Sequence, residues 1–504
     1  PGCANRTSVP VASGPAGIPA PDLARALSVL AAANDLPGDH PDRVALMHAT
    51  SHLFKSLKKN RRAEAKAKVR AYNEDIIAAT ATGAPTRIDD ETEGLDLSAT
   101  ASGRFAGTLS RSHACYICKQ QYVDVDYFYH QLCPTCAIFN HARRDARTDL
   151  SGKRALLTGG RAKIGMHIAL RLLRDGAHTT ITTRFPNDAI RRFTAIEDSA
   201  QWLDRLKIVG IDLRDPAQVV ALADEVAGDG PLDILINNAA QTVRRSAGAY
   251  APLANAEAGP LPTGKLPAMI TLGRTFDPHP PTLEGQVQGG AALTHPSVQT
   301  PEFLTKLAMT AGSASLERIA TGTAIDAGGL VPDLVHSNSW VQTVQEVDPL
   351  ELLEVQLCNS TAPFILISRL RGALRTAAAN SAAHGGSGRS YVVNVSAMEG
   401  VFNRGYKGAG HPHTNMAKAA LNMLTRTSAR EMFESDQILM TSVDTGWITD
   451  ERPHMTKVRL AEEGFHAPLD LIDGAARVYD PVVRGESGAD LFGVFLKDYA
   501  PGNW

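Results

Sequence analysis

Four of the six cysteines occur close together, in the stretch CYICKQQYVDVDYFYHQLCPTC. They form two Cys-x-x-Cys pairs, Cys115 with Cys118 and Cys133 with Cys136. Each pair turns tightly enough to place both sulfurs on one ion, and two pairs supply the four tetrahedral ligands of a structural zinc site. Because four thiolates leave no open coordination position, this zinc ion is expected to stabilise the fold and not to activate water.

Other interpretations of these cysteines stay open. Disulfides or a redox-active Cys-x-x-Cys would use the same residues, although the sequence shows no secretion signal that would favour disulfides. A further alternative is a zinc site in which one of three nearby histidines (His113, His130 or His141) takes the place of one cysteine. Cys358 stands alone and is expected to be a small buried residue.

A second stretch with suitable residue types and spacing is HPHTNMAKAAL, residues 411–421. It is typical of the start of a helix, in which Thr414 lies one turn before Lys418 on the same face. An aliphatic hydroxyl is a poor proton donor near neutral pH. Tyr406, His411 and His413 lie close in sequence and have side chains better suited to exchange a proton, although each histidine is equally well explained as a polar loop residue.

The third stretch is ALLTGGRAKIGMHIALRLL, which places Gly159, Gly160 and Gly165 between an apolar strand and an amphipathic helix. In that context, backbone amides at the start of the helix can hold a pyrophosphate group. The glycine pattern alone is a weak signal, and its context decides its meaning.

Short β-branched strands alternate with helical stretches from Gly152 onward, in the segments RALLTGG, HTTITTR, LKIVGIDL, LDILINNA, SYVVNVSA and LMTSVDTG. This alternation predicts an α/β fold with a Rossmann-like, doubly wound parallel sheet. The rhythm stops over about 246–340, where only short helical fragments such as PEFLTKLAMTA occur. We interpret that stretch as a long insertion at the rim of the sheet.

The predicted organisation has three parts. Residues 1–100 form an N-terminal helical region with a flexible lead-in and a polar linker, residues 101–148 a small zinc-binding module, and residues 149–504 the α/β domain. The helix predicted over 52–70 is basic. Its lysines and arginines either form a solvated face or dock an acidic protein or nucleic-acid partner.

The composition is that of a soluble globular protein. The 504 residues are 43% hydrophobic and 21% charged, and the formal net charge is -2. This balance offers no general argument for nucleic acid or a membrane as partner, and no run reaches the roughly 18 apolar residues of a membrane span. We expect a cytoplasmic protein, with an organellar address left open.

Residues 149–504 resemble the short-chain dehydrogenase/reductase family, and the chain is identified as an atypical member with an N-terminal four-cysteine module. The family's TGxxxGxG motif reads TGGRAKIG here, so Lys163 replaces its middle glycine. The resemblance implies a cofactor site formed by Thr158, Gly159, Gly160, Arg161, Lys163, Ile164, Gly165, Asp212, Leu213, Asn238, Ala239, Ala240, Lys418, Gly446 and Thr449. Thr445 stands where the family has a proline.

The cofactor is predicted to be NADP(H). Members that bind NAD place an acidic residue after the second strand to hold the ribose hydroxyls. Here that strand ends in TTRF, so Arg184 stands where a 2'-phosphate requires a cation, and Arg161 lies near the same place. Solvated loop positions for both arginines are the alternative.

The catalytic set departs from that of the family, which uses asparagine, serine, tyrosine and lysine. The resemblance assigns Asn359 and Lys418 to the first and last roles, Ala397 to the serine position and Thr414 to the tyrosine position. Ser396 precedes Ala397, but neighbouring strand residues face opposite sides of the sheet. Tyr406 or His413, with His411 as a further candidate, would then supply the proton.

These observations predict an NADP(H)-dependent oxidoreductase acting on a carbonyl or alcohol, with a non-standard catalytic set and a homo-oligomeric assembly. The alternative is a nucleotide-binding scaffold whose zinc module and basic helix bind a protein or nucleic-acid partner. Nothing in the sequence identifies the substrate.

Overall fold

The computed structural model describes residues 17–85, 87, 97–245, 247–273, 275, 326–331, 333, 335–449 and 451–504. Most of the predicted lead-in (1–16), part of the linker (88–96) and the middle of the predicted insertion (276–325, including PEFLTKLAMTA) lie outside this part of the chain. By packing, the chain divides into two compact units, residues 1–73 and residues 74–504.

The first unit contains helix α1 (Ala20–Ala32) and most of helix α2 (Pro41–Ala78). A proline near the start of each helix suits the first turn, where the missing N–H has no partner to lose. The described part of this unit has almost no core, since no residue of α1 is buried. Large apolar side chains that are exposed on the two helices are Leu23, Leu27, Val29, Leu30, Val44, Met47, Leu53, Phe54 and Leu57.

The four-cysteine module opens the second unit. Strands β1 (Phe105–Ala114) and β2 (Gln121–Asp126) form an antiparallel hairpin, and helix α3 (Pro134–Arg144) follows. The module shares a hydrophobic core with residues far along the chain, among them Ile448 and Leu469. By packing, the module is therefore part of the larger unit. The sequence predicted it as a separate part that ends at residue 148.

Polar contacts add to that packing. Arg144 forms a bidentate ion pair with Asp470, at 2.6 and 2.7 Å, and the Tyr129 hydroxyl donates to Asp473 at 2.6 Å. These groups are buried or partly buried, so removal of one partner would leave an uncompensated charge in the interior. The module is therefore held to the α/β fold by an ion pair and a hydrogen bond as well as by apolar packing.

The centre of the second unit is a nine-stranded sheet. Its strands are β3 (Arg154–Leu157), β4 (His178–Thr183), β5 (Leu206–Gly210), β6 (Ile234–Asn237), β7 (Ala268–Thr271), β8 (Ser390–Ser396), β9 (Ile438–Asp444), β10 (Phe495–Lys497) and β11 (Ala500–Gly502). The order is β11-β10-β9-β8-β6-β3-β4-β5-β7, and every pairing except β10 with β11 is parallel. The predicted Rossmann-like parallel sheet is confirmed.

Helices cover both faces of this sheet. They are α4 (Lys163–Arg174), α5 (Pro186–Thr194), α6 (Pro216–Gly228), α7 (Ala251–Ala258), α8 (Pro349–Gln356), α9 (Ala362–Ala383), α10 (Pro412–Asp436), α11 (His454–Glu462) and α12 (Leu471–Glu486). One hydrophobic core lies under α4, α5 and α12, and a second lies under α6, α9 and α10. Strands with helices on both faces are buried on both sides, which explains their continuous apolar runs.

Three strands of the nine-stranded sheet were not predicted from the sequence. Strand β7 lies inside the predicted insertion and pairs in parallel with β5, which makes it an edge strand of the sheet. Strands β10 and β11 have only three residues each. Segments this short cannot display an alternating pattern, so their pairing depends on the sheet already being present.

One described helical stretch, 349–383, is long and apolar enough to cross a membrane by length and composition, and half of its most apolar window is buried. Leu366, Leu370 and Leu374 of this stretch pack into the second core. Packing against the sheet therefore accounts for its apolar character.

Candidate nucleotide and catalytic site

A cavity of about 410 Å³ opens at the carboxyl edge of the sheet, where β3, β4, β5 and β6 end. Ligands of doubly wound sheets bind at this edge. The predicted cofactor residues that line the cavity are Gly159, Arg161, Lys163, Ile164, Gly165, Arg184, Asp212, Leu213, Asn238, Ala239, Ala240 and Thr449. Four others, Thr158, Gly160, Lys418 and Gly446, do not line it and lie behind its wall or beside it.

The glycine turn packs directly against the loop after β6. The Thr158 hydroxyl accepts hydrogen bonds from the backbone N–H groups of Asn238 and Ala239, both at 3.0 Å. A Cβ at Gly165 would lie 2.0 Å from the carbonyl oxygen of Gly159, so only glycine allows helix α4 to start this close to the turn. The turn can therefore present its amides to a phosphate at the cavity wall.

Lys163 is the first residue of α4 and has a φ of +53°. This left-handed conformation suits glycine, which explains why a glycine would serve at this position. In this chain the lysine adopts the conformation, and its Nζ lies 3.2 Å from Oδ2 of Asp326. Lys163 therefore preserves the backbone conformation of the turn and adds a positive charge beside it.

The two arginines proposed for a 2'-phosphate have different surroundings. Arg161 forms an ion pair with Asp188 and donates to the carbonyl oxygen of Gly328 at 2.7 Å. Arg184 donates to the hydroxyl of Tyr250 at 3.1 Å and lies over the Tyr250 ring at 5.1 Å. No ion pair of Arg184 occurs among the described residues, so Arg184 is the better candidate for the phosphate.

Asp212, one of the predicted cofactor residues, is part of a buried ion-pair network. Arg214 donates to Oδ2 of Asp212 at 2.6 Å and to Oε1 of Glu354 at 2.9 Å. The backbone N–H of Asp212 donates to Oε1 of Gln218 at 3.0 Å. The Asp212 carboxylate is therefore paired with Arg214 before any ligand binds. Both residues line the cavity.

Asn359 lies in a π-helical segment, Leu357–Thr361, between α8 and α9. Its Oδ1 accepts from the backbone N–H of Gln241 at 2.7 Å, and its Nδ2 donates to the carbonyl oxygen of Gln241 at 2.9 Å. Single π-helical turns often mark functional sites, because the extra residue redirects a side chain. Here the redirected amide holds the loop after β6 that forms one cavity wall.

Lys418 is 6% exposed, and its Nζ donates to the carbonyl oxygen of Val395 at 2.8 Å. Burial lowers its pKa to about 8, against smaller opposing effects of Cys358 and Glu399. Cys358, which lines the cavity, is one of the two groups that favour the charged form of this ammonium. A buried cation with a shifted pKa beside a cleft is typical of a functional residue.

The proton-donor candidates lie in separate places. The Tyr406 side chain is 81% exposed and outside the cavity lining. His411 stacks on Trp340, with ring centroids 4.0 Å apart, and bonds to the Trp340 carbonyl oxygen at 2.8 Å. Thr414 is buried and donates to the carbonyl oxygen of Thr242 at 3.5 Å. The structure does not bring Tyr406 to the cavity, and His411 is held by a backbone acceptor.

His413 is 2% exposed, and neither ring nitrogen has a hydrogen-bond partner among the described residues. Its Nε2 lies 4.0 Å from Oε1 of Glu351, which also accepts from the backbone N–H of Arg244 at 2.7 Å. Burial lowers the pKa of His413, partly offset by Glu351. The ring is therefore neutral at pH 7 and lies beside the loop that lines the cavity.

The position of the family's serine is occupied by Ala397, and the structure brings no neighbouring described serine into its place. Ser396 is buried at the end of β8, and its Oγ has no hydrogen-bond partner among the described residues. Ala397 follows in an extended conformation. Because the strand continues to Ser396, the two residues face opposite sides, and Ser396 points away from the position of the family's serine.

The four sulfurs of Cys115, Cys118, Cys133 and Cys136 lie within 4.8 Å of one another. The Sγ atoms of Cys118 and Cys133 are 3.6 Å apart. Tetrahedral zinc with Zn–S bonds of about 2.3 Å separates its sulfurs by about 3.8 Å, so the cluster has the dimensions of a four-thiolate site. His130 bonds to Thr82 and His141 to Asp126, so these histidines have other partners.

Several residues of the cavity were not predicted. Tyr250, Arg214, Arg245 and Glu451 line it, and Asp326 contacts Lys163 at its mouth. Tyr250, Arg245 and Asp326 lie in or beside the stretch without a recognisable motif, whereas Arg214 and Glu451 follow motif residues but belong to no motif themselves. An acidic residue in such a stretch carries no signal of its own, so only proximity in space reveals these positions.

Residues 153–254 match the family model of the short chain dehydrogenases. An uncharacterized protein of Acanthamoeba polyphaga mimivirus is 29% identical over 386 residues, which cover 73% of this chain and 71% of the viral protein. A probable oxidoreductase of Streptomyces lividans is 40% identical over 91 residues, 18% of this chain and 29% of that protein, so less than a third of its length is matched.

Among solved structures, NADPH-bound carbonyl reductase from chicken fatty liver aligns with 72% of this chain and 98% of its own, with 16% identity and a TM-score of 0.42. The family match extends from β3 to α7 and includes the glycine turn and the loop after β6. Over this stretch the chain is therefore similar to the short chain dehydrogenases, and the stretch lies within the Rossmann-like parallel sheet.

Proposed function

We propose that the protein is an NADP(H)-dependent oxidoreductase that interconverts a carbonyl and an alcohol. The observation that carries this proposal is Lys418, a buried ammonium that donates to the Val395 carbonyl oxygen at 2.8 Å near the end of β8, at the edge of the sheet where the cavity opens. Keeping a cation at such a position is costly unless a bound group uses it. Arg184 and the amides at the start of α4 support a dinucleotide with a 2'-phosphate.

The nicotinamide, when bound, supplies the hydride in reduction and accepts it in oxidation. The residues of this chain then have to place the ribose, orient the substrate oxygen and exchange one proton with it. Lys418 would hold the ribose, and Asn359 fixes the loop at Gln241 that borders the reacting end. His413 is the donor that burial supports best, because its nitrogens have no described partner and Glu351 lies 4.0 Å away.

A neutral imidazole accepts a proton more readily than it donates one, so His413 would favour oxidation of an alcohol at pH 7. In the reverse direction the same ring has to be charged first. Thr414 would orient a water molecule or the substrate oxygen through its hydroxyl, since an aliphatic hydroxyl is too weak an acid to exchange the proton itself.

The donor assignment predicts a ranking of single variants. His413→Asn is expected to reduce turnover by about 10²–10⁴-fold, as for loss of a general acid or base. Tyr406→Phe, which serves as the exposed control, is expected to stay within a few-fold of the unmodified protein. The measurement is the steady-state oxidation of NADPH with a panel of aldehydes and ketones. A large loss in Tyr406→Phe with none in His413→Asn would assign the proton to the tyrosine instead.

Arg184 tests the choice of cofactor. Arg184→Ser is expected to weaken NADPH binding by about 10–100-fold, the equivalent of one charge-assisted hydrogen bond. NADH binding should change much less, because NADH has no 2'-phosphate to lose that contact. Calorimetric titration of both cofactors measures the difference, with Arg389→Ser, a surface arginine paired with Asp490, as control. Equal affinity of the unmodified protein for NADH and NADPH would contradict this assignment.

Zinc, assembly and location complete the proposal. We propose one structural zinc held by the four cysteines, a homo-oligomer built on the outer faces of α9 and α10, and action in the cytoplasm. The apolar side chains exposed on those faces, Phe364, Met416 and Met423, support an interface there.

A second candidate is a nucleotide-binding scaffold. The observation that favours it is the first unit, where α1 and α2 expose apolar side chains next to the basic residues of 55–70. Such faces are typical of segments that dock on a protein partner. A scaffold would bind NADPH without oxidising it in the presence of any carbonyl in the panel, whereas the enzyme would oxidise it with at least one.

A further inference from the structure

Two carboxylates face two cations at the mouth of the nucleotide cavity. Nζ of Lys163 lies 3.2 Å from Oδ2 of Asp326, and Nη2 of Arg245 lies 3.0 Å from Oε2 of Glu451. Lys163, Arg245 and Glu451 line the cavity, and Asp326 is buried directly beside it. None of these contacts is required by the parallel sheet itself.

The four charges form one cluster. Burial alone would raise the pKa of Asp326, but Lys163, the Leu330 amide and Arg245 hold it below its ordinary value. Burial likewise opposes ionisation of Glu451, whose pKa is nevertheless lowered by Lys163, Arg245 and Lys457. Each carboxylate therefore interacts with both cations, and both are ionised at neutral pH.

The segment that carries Asp326 is a tight turn over the site. Oδ1 of Asp326 accepts from the backbone N–H groups of Gly328 and Leu330, both at 2.8 Å. Arg161 donates to the Gly328 carbonyl oxygen at 2.7 Å, so the turn is tied to the glycine motif. Gly328 and Leu330 both line the cavity. The carboxylate is thus held in place from its own segment as well as by Lys163.

A phosphate at the start of α4 would require the same cations. The first amides of a helix are available to an anion, and Lys163 is the first residue of α4. While Asp326 and Glu451 neutralise Lys163 and Arg245, however, these four described charges sum to zero. An incoming pyrophosphate would face two carboxylates at short range, which is unfavourable unless the cations turn from the carboxylates to the phosphate.

We propose that Asp326 and Glu451 are internal counter-ions of the nucleotide site, which the phosphates of the dinucleotide replace at Lys163 and Arg245. Cofactor affinity is then set by an exchange of anions. The proposal rests on the proposed function in that it concerns the same nucleotide site. It predicts that loss of either carboxylate strengthens binding of a phosphate ligand.

The test uses the full chain with Asp326→Asn, Glu451→Gln and the double variant, which keep side-chain shape and remove charge. Dissociation constants for NADPH, NADH and inorganic pyrophosphate are measured by calorimetry. Each single variant is expected to bind all three on the order of tenfold more tightly, because a released cation gains a charge-assisted contact with phosphate. Asp224→Asn is the matched control, since its exposed carboxylate pairs with Arg369 on the surface of α6.

Lys163→Gln separates competition from a structural effect. In the unmodified background it should weaken binding, and in the Asp326→Asn background it should abolish the gain. Unchanged or weaker binding of pyrophosphate by both Asp326→Asn and Glu451→Gln would overturn the proposal, because the carboxylates would then position the cations and not compete for them. If the variants bind pyrophosphate more tightly but bind neither dinucleotide, the counter-ion proposal is supported and the proposed function is contradicted.

Discussion

Replacement of Lys418 by methionine is expected to reduce turnover by about 10²–10⁴-fold, comparable to removal of a general acid or base. The side chain is buried and its ammonium is held by the Val395 carbonyl oxygen, so a neutral side chain of similar length preserves the packing but removes the charge. Lys207→Met is the matched control, because Lys207 lies at the surface of the sheet with Glu225 and Asp229. Steady-state assays with a substrate identified from the carbonyl panel measure both variants.

The same variant should not be less stable. Because burial lowers the pKa of Lys418 to about 8, folding disfavours its charged form. The unfolded chain therefore binds more protons between pH 8 and the ordinary lysine pKa of about 10.4, and the free energy of unfolding rises with pH over that window. Lys418→Met should remove this rise, and reductive turnover of the unmodified protein should fall as pH increases through about 8. A variant that unfolds at a much lower temperature would indicate a structural role instead.

Loss of one zinc ligand should have the largest effect on folding. Cys133→Ser is expected to release the zinc and to unfold the module, because ligand binding and folding are coupled in small metal sites with apparent binding energies of about 10–16 kcal/mol. The effect should extend into the α/β fold, since the module shares its core with Ile448 and Leu469 and its ion pairs with Asp470. A lower midpoint of thermal unfolding for the whole second unit is the expected result.

Metal analysis and thermal denaturation check this prediction together. Cys358→Ser, a cysteine outside the cluster, is the control and should keep one zinc per chain. Protein purified without chelators that contains no zinc would contradict the site. A Cys133→Ser variant that loses zinc but unfolds at the same temperature would show that the module does not support the α/β fold.

The part of the site that sequence alone located is its local part. The glycine turn, the loop after β6 and the four cysteines each need only residues that are close in the chain, and backbone geometry at short range is dictated by residue type. The structure places Gly159, Gly165, Asn238 and Ala239 together at one wall of the cavity, as the motifs indicated. For the same reason the main strands of the sheet were found from their apolar patterns.

The distant contacts could not be derived in this way. The motif did not show what a lysine at the glycine position does, whereas the φ of +53° at Lys163 and its ion pair with Asp326 do. Likewise, sequence spacing grouped Tyr406 with His413, yet one side chain is exposed and the other buried. A loop of several residues allows many directions, and tertiary packing selects one of them.

The sequence by itself therefore indicated the class of fold, the family resemblance, the nucleotide turn and the cysteine cluster, because each depends on a short pattern with a direct physical meaning. Only the tertiary structure decided which charges meet at the cavity mouth, that β7 joins the sheet from inside the predicted insertion, and that the module is part of the α/β core. These features depend on contacts between segments far apart in the chain. Burial and charge pairing choose among such contacts only after the chain has folded.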